Sequence, residues 1–147
     1  MAANLYPIFP AVPYAISASL TAATACTTRA PTATAGLAAA NIVALTGTST
    51  NGRRIDTIKV QAASTSITAP TVAQIVGIWM WDGTTAYLID EIVVAAVTPS
   101  TTTPAFVTSN SYTDLVLPAA FKLYMSTTVT TTASTTALTV SVFGGDY

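Results

Sequence analysis

Few side chains in this sequence could support catalysis. The 147 residues include six acidic residues, five basic residues, one cysteine and no histidine. Without histidine, neither a Ser-His-Asp triad nor a Cys-His pair can form, and a structural zinc site lacks its usual ligands. A lone cysteine forms no disulfide within the chain, so Cys26 is expected to be a small buried apolar residue.

The carboxylates are the remaining candidates for acid–base chemistry, which needs two of them to converge. Asp90 and Glu91 are adjacent, so in a strand their side chains point to opposite faces. Asp82 is expected to bond the backbone of its own turn, and Asp56 to pair with a nearby basic residue. No dense loop of oxygen ligands for calcium is present. The sequence predicts a protein that is not an enzyme, with no catalytic residues, no metal and no cofactor; a small hydrolase stands only as an alternative.

The basic and apolar residues predict neither nucleic-acid binding nor a membrane span. Nucleic-acid binding needs a basic stripe, whereas the net charge is -1 and only Arg53 and Arg54 are adjacent. A spanning helix needs about 20 consecutive apolar residues. The longest candidates, residues 75–81 and 92–97, are much shorter and are typical of buried strands.

β-branched and aromatic runs separated by turn residues predict an all-β chain. About eight strands are expected to form an antiparallel β-sandwich or jelly roll. Asp82-Gly83 predicts a hairpin turn, residues 63–71 and 99–110 are expected to be loops, and the Thr-rich stretch 127–136 is expected to be an edge hairpin. The predicted strands are Tyr14–Thr21, Asn41–Thr46, Arg53–Ala62, Ala73–Trp81, Thr85–Val97, Ser111–Leu117, Phe121–Thr128 and Ala137–Phe143.

The fourth predicted strand is apolar on both faces, so another sheet, a loop or a partner subunit must cover its outer face. Trp79 and Trp81 share one of these faces. Together with Tyr87 they could form a platform for sugar stacking, although core packing is the expected role of such aromatic residues.

The N-terminal residues 1–13 are expected to form an extended arm outside a sandwich domain of residues 14–147. Prolines at every third position match polyproline II, and the residues between them are large and apolar. Such an arm cannot pair as a central strand and carries too much apolar surface for water, so it is expected to dock on its own domain or on a neighbouring subunit. The adjacent arginines are expected either to contact an acidic partner at the rim or to form a solvated strand edge. The predicted subunit-interface residues are Leu5, Tyr6, Pro7, Ile8, Phe9, Pro10, Val12, Pro13, Arg53 and Arg54.

The shortage of charge points to a permanent assembly. Charged residues make up 7% of the chain and hydrophobic residues 51%, whereas an ordinary globular domain is about 25% charged. A soluble monomer normally carries a net charge of about 2–8 to stay apart from its neighbours. A surface built from Thr, Ser and Ala is easy to desolvate and suits a protein packed among other subunits.

Several segments resemble small structural proteins of tailed-bacteriophage particles: Asn51–Ile58, Gly77–Thr84, Asp90–Ile92, Val97–Ser100 and Val142–Tyr147. The resemblance covers residues 41–147, is one of overall pattern and carries over no functional residues. It implies a capsid cement or decoration protein, commonly a homotrimer, that binds the major capsid protein and bridges neighbouring subunits. It places the chain in the virion, assembled in the host bacterial cytoplasm. The alternatives are a tail, neck or fibre-base protein and a carbohydrate-binding adhesin module.

Overall fold

The computed structural model describes residues 12–33, 41–133 and 136–147. These residues form nine strands and no helix. Eight of the strands correspond to the eight predicted ones, and the ninth is a two-residue strand that sequence patterns did not reveal. The strands are β1 (Val12–Leu20), β2 (Thr32–Ala33), β3 (Ile42–Ala44), β4 (Arg53–Ala62), β5 (Gln74–Trp81), β6 (Thr85–Val94), β7 (Val107–Leu117), β8 (Lys122–Thr127) and β9 (Leu138–Asp146).

The strands form two antiparallel sheets with jelly-roll connectivity. Sheet A has the order β1-β9-β4-β7, and sheet B has the order β2-β6-β5-β8-β3. Every strand pair is antiparallel. Apart from the short β2, the chain passes between the two sheets in the way that two Greek keys wrap into a sandwich. The predicted all-β sandwich is confirmed.

The inner faces of the two sheets enclose one core. Alternating residues of β4 and β9 point inward, as their sequence patterns predicted. The fully buried ones, at 0% exposure, include Ile58, Val60, Leu138, Val140 and Val142. Sheet B contributes Val76, Ile78, Leu123 and Met125 to the same cluster. Each fully buried aliphatic side chain contributes roughly 1.5–3 kcal/mol relative to an exposed one, so this core accounts for the pairing of the two sheets.

The hairpin between β5 and β6 has the predicted turn. Gly83 has φ of 109°, a conformation that residues with a Cβ rarely adopt. The Asp82 carboxylate accepts hydrogen bonds from the backbone N–H of Thr84 and Thr85 at 2.9 and 2.8 Å. The bonds from Thr85 and Thr84 lower the pKa of Asp82.

Several predicted boundaries differ from the structure. β6 ends at Val94 and β7 already begins at Val107, so the connecting loop lies at residues 95–106 and not at the expected 99–110. In the Thr-rich stretch, the described residues 128–133 form no strand. Its hydroxyls bond backbone groups instead: Thr131 Oγ1 accepts from Ala23 N–H and Thr127 Oγ1 donates to Val129 O. Such bonds compete with a strand ladder.

Residues 26–29 of the same chain cover part of the outer face of β5. Trp79 forms a second buried cluster with Cys26, Ile42 and Ala86. The covering segment is tied down by backbone bonds, including Cys26 N–H to Thr127 O at 2.8 Å. The expected burial of Cys26 is confirmed at 5% exposure, and the predicted need to cover this strand is met by a loop.

Candidate functional site

Most of the predicted arm lies outside the described residues: Leu5, Tyr6, Pro7, Ile8, Phe9 and Pro10. Val12 and Pro13 are described, and both belong to β1 rather than to a separate arm. Among the described strands, β1 pairs only with β9 and lies at an edge of sheet A. A proline is tolerated there because one side of an edge strand needs no N–H donor. Val12 is 59% exposed where the chain enters the sandwich.

Arg53 is buried within its own chain, which corrects its predicted role as an exposed contact. Its exposure is 4%, and it lies on the central strand β4 rather than on an edge. Its Nε donates to Asp146 Oδ1 at 2.5 Å and its Nη1 donates to Gly47 O at 3.1 Å. The guanidinium carbon lies 3.4 Å from the ring centroid of Tyr14. Burial raises the pKa of Tyr14, while the charge of Arg53 acts in the opposite direction.

Arg54 remains on the surface, but it is not a free cation. Its Nε lies 2.7 Å from Asp56 Oδ1, and both side chains are about half exposed, at 40% and 44%. The hydrogen bond and the charge of Asp56 raise the pKa of Arg54. This is the pairing expected for Asp56. A partner that approaches here meets a neutral ion pair rather than an isolated positive charge.

The tryptophans do not form an open stacking platform. Trp79 is 1% exposed, and its Nε1 donates to Ser126 Oγ at 2.8 Å, so its expected core role is confirmed. Trp81 packs edge-on against Tyr124, with ring centroids 6.1 Å apart. Tyr87 lies opposite Met80 in the strand register, which places it on the other face of the sheet from Trp79.

A small pocket lies on the outer face of sheet B and is lined on one side by the covering segment 26–29. Its volume is about 190 Å³. Arg29 and Glu91 meet at this pocket in an ion pair of 2.7 Å, with side-chain exposures of 64% and 35%. We call it the Cys26 pocket. Its lining residues are Cys26, Thr27, Thr28, Arg29, Ile75, Gly77, Trp79, Leu88, Glu91, Ser126 and Thr128.

Gly77 makes room for this pocket. A Cβ at Gly77 would lie 2.8 Å from Ser126 Oγ and 3.1 Å from Trp79 Nε1, closer than van der Waals contact allows. Gly77 itself is a sequence signal of this arrangement, because a glycine inside a strand often marks a close approach. Sequence patterns did not reveal Arg29 and Glu91 as a pair, since 62 positions separate them.

A polar cluster joins the two sheets at the β6 and β7 edge. Asp90 Oδ2 accepts hydrogen bonds from Tyr112 Oη at 2.5 Å and from Asn110 Nδ2 at 2.8 Å, and Asp90 Oδ1 accepts from Glu91 N–H at 2.8 Å. Burial tends to raise the pKa of Asp90, but these three bonds outweigh it and the pKa is lowered. Burial and the Asp90 charge raise the pKa of Tyr112.

The carboxylates do not form a converging acid–base pair in the described residues. Asp90 and Glu91 contact different segments, as their adjacency predicted, and Asp56 and Asp146 each bind an arginine. Among the described residues no group of three or more His, Cys, Asp or Glu side chains could hold a metal ion.

The exterior carries little unpaired charge. Three of the five basic and three of the six acidic residues neutralise each other in ion pairs, which leaves two lysines and three aspartates. Lys59 lies on the outer face of sheet A, in one register row with Ser17, Ser141 and Ser109. The larger exposed apolar side chains include Val12, Ile67, Val93, Val107, Val116 and Phe143.

Comparisons with protein-family models, with curated proteins and with solved structures find no match for this chain. Within the described ranges, the structure contains no helix that is long and apolar enough to cross a membrane.

Proposed function

We propose that this chain is a structural protein of a virus particle, and specifically a capsid cement or decoration protein that bridges neighbouring shell subunits. The observation that carries the proposal is the charge-poor exterior: six of the eleven charged residues are neutralised in three ion pairs, and one of these pairs buries Arg53 inside the chain. Such a surface loses little hydration energy when another protein covers it, since unpaired charges make desolvation costly. The jelly roll agrees with this role because viral capsid proteins often use it, although lectin domains and cupins share it.

The mechanism follows from mass action. A protein that binds only the assembled lattice stabilises that lattice. Each ~1,000 Å² of apolar surface buried across a joint contributes on the order of 25 kcal/mol before the ordering costs of binding are subtracted. On this proposal the major capsid protein is the partner, the chain is a homotrimer, and assembly takes place in the host bacterial cytoplasm.

Copy number distinguishes the proposal from a tail, neck or fibre-base role. The experiment purifies particles made from a phage genome that encodes this chain and counts the copies by quantitative mass spectrometry. A cement protein is expected in hundreds of copies, distributed over the shell in a cryo-EM reconstruction. Six or twelve copies would favour a neck or tail position, and absence from purified particles would overturn the virion role.

A further inference from the structure

The lining of the Cys26 pocket offers several hydrogen-bond donors and carries no net charge. Ser126 Oγ accepts a bond from Trp79, Thr128 Oγ1 from Ile75 N–H and Thr28 Oγ1 from Ala30 N–H. A hydroxyl that accepts a bond still has its own proton to donate. Three hydroxyl donors therefore line the pocket after the internal bonds are counted.

The ion pair of the pocket selects against charged ligands. Arg29 Nε lies 2.7 Å from Glu91 Oε1, so the guanidinium is already neutralised and the carboxylate would repel an anion. Each partner can still form further hydrogen bonds, because a guanidinium has five N–H donors and a carboxylate about four acceptor positions. The pair can thus donate to and accept from a neutral hydroxylated ligand.

The size of the pocket limits the ligand to one ring. A cavity of about 150 Å³ holds benzene, and the Cys26 pocket is somewhat larger, at about 190 Å³. Drug-sized ligands occupy pockets of about 300–1,000 Å³. The apolar part of the lining is provided by Ile75, Leu88 and the buried Trp79, against which a C–H face of a ring can pack.

We propose that the Cys26 pocket binds a single neutral sugar ring, presented as the exposed residue of a glycan. The hydroxyls and the Arg29–Glu91 pair bond the sugar hydroxyls, and the aliphatic side chains contact its apolar face. This function adds to the proposed shell role and does not depend on it. Of the three aromatic residues in the stacking platform that the sequence suggested, only Trp79 lines this pocket.

The experiment titrates the ¹⁵N-labelled full chain with methyl glycosides of glucose, galactose, mannose and N-acetylglucosamine, each up to 100 mM. One or more glycosides are expected to cause saturable shifts at the amides of Cys26, Gly77, Glu91 and Ser126, with a millimolar dissociation constant. Thr27→Phe, at an exposed position, fills the pocket and is expected to abolish the shifts. Glu91→Ala is expected to weaken binding at least ten-fold. Lys59→Ala, on the outer face of sheet A, serves as the matched control and should bind normally.

Three outcomes would overturn the inference. The first is that no glycoside produces saturable shifts at the pocket, and the second is that binding survives Thr27→Phe. The third is that the pocket prefers inorganic phosphate, or a synthetic peptide of residues 2–11, over every glycoside. Circular dichroism and the urea midpoint of each variant show that a loss of binding is not a loss of folding.

Discussion

At the scale of single residues, the buried pair of Arg53 and Asp146 is the most consequential polar contact. Arg53 is enclosed by Tyr14, Gly47 and Asp146, so removal of its carboxylate partner leaves a buried cation without a counter-charge. Asp146→Ala is expected to lower the free energy of unfolding by roughly 3 kcal/mol, at the low end for a broken buried pair because the Asp146 side chain keeps 30% exposure.

Urea denaturation followed by tryptophan fluorescence measures this loss. Asp56→Ala is the matched control, because it removes the carboxylate of the exposed pair with Arg54, and exposed pairs contribute little. Its midpoint should stay close to that of the parent chain. Equal losses in the two variants would show that burial does not set the strength of the Arg53 pair.

Asp90 makes the stability of the folded chain depend on pH. Its hydrogen bonds lower its pKa in the folded state, so its contribution is present above the unfolded pKa of about 3.9 and is lost as pH falls through the folded value. Tyr112→Phe removes one donor, after which burial pulls the pKa of Asp90 upward. The variant is expected to lose stability at a higher pH on acidification than the parent chain does.

The measurement for Tyr112→Phe is the urea midpoint between pH 7 and pH 3. At neutral pH the variant should lose about 1.5–3 kcal/mol, the usual contribution of a hydrogen bond to a charged group. Thr113→Ala is a neighbouring control, since Thr113 bonds Asp114 at an exposed position. An unchanged acid profile in Tyr112→Phe would contradict the role assigned to the cluster.

The roles of residues could be predicted from the sequence where adjacent positions in the chain determine them. The burial of Cys26, the turn bonding of Asp82 and the pairing of Asp56 all follow from local context and are confirmed. The burial of Arg53 was not predictable, because its partner Asp146 lies 93 positions away and only the β4–β9 register brings the two together.

At the scale of elements, the turn between β5 and β6 depends on one glycine. Gly83 has φ of 109° with nothing within 4 Å of a Cβ placed there, so Gly83→Ala introduces backbone strain without a clash. The variant is expected to lose about 1–2 kcal/mol, the cost of the left-handed region for a residue with a side chain. Differential scanning calorimetry or urea denaturation measures the loss.

Gly47 offers the matched control for that substitution. It also has nothing within 4 Å of a Cβ, but its φ lies outside the positive range. Gly47→Ala should therefore be neutral or slightly stabilising through the reduced entropy of the unfolded chain. If both alanine variants were equally stable, the turn conformation would not be the source of strain.

The strands with clear alternation were predicted well, and those without it were not. β4 matches its predicted bounds at both ends, because its apolar residues alternate along a half-buried strand. After Val107 the first residues of β7 are polar and lie at the edge of sheet A among the described strands, so they carried no such signal. The order of the strands could not be predicted from the alternation of apolar residues either. It is determined by pairings between distant segments, such as β1 with β9.

At the scale of the whole molecule, the two sheets present different exteriors. The chain covers part of the outer face of sheet B with residues 26–29, and Trp79 is buried beneath them. The described residues place no such segment over the outer face of sheet A, where small Ser and Thr side chains surround Lys59 and Phe143 is 43% exposed. Low charge therefore coincides with open surface on sheet A, which is the combination expected for contact with another subunit.

The arm provides the whole-molecule test of assembly. Deletion of residues 2–11 leaves β1 intact, because that strand begins at Val12, so the sandwich is expected to keep its circular-dichroism spectrum and urea midpoint. If Leu5, Ile8 and Phe9 dock on a neighbouring subunit, each contributes roughly 1.5–3 kcal/mol of burial. The deletion is then expected to weaken binding to shells at least ten-fold, since 1.4 kcal/mol already changes an affinity by that factor.

Co-sedimentation with emptied shells and analytical ultracentrifugation of the free protein measure the two consequences of the deletion. A companion variant with Ile8→Ser and Phe9→Ser keeps the length and the prolines of the arm, so it separates apolar contact from chain length. If both variants bind shells and associate like the parent chain, the arm does not mediate assembly, and the contacts must come from the sandwich surface. If the folded core of either variant is destabilised, the arm instead docks on its own domain, because contacts made only with a neighbour cannot stabilise an isolated chain.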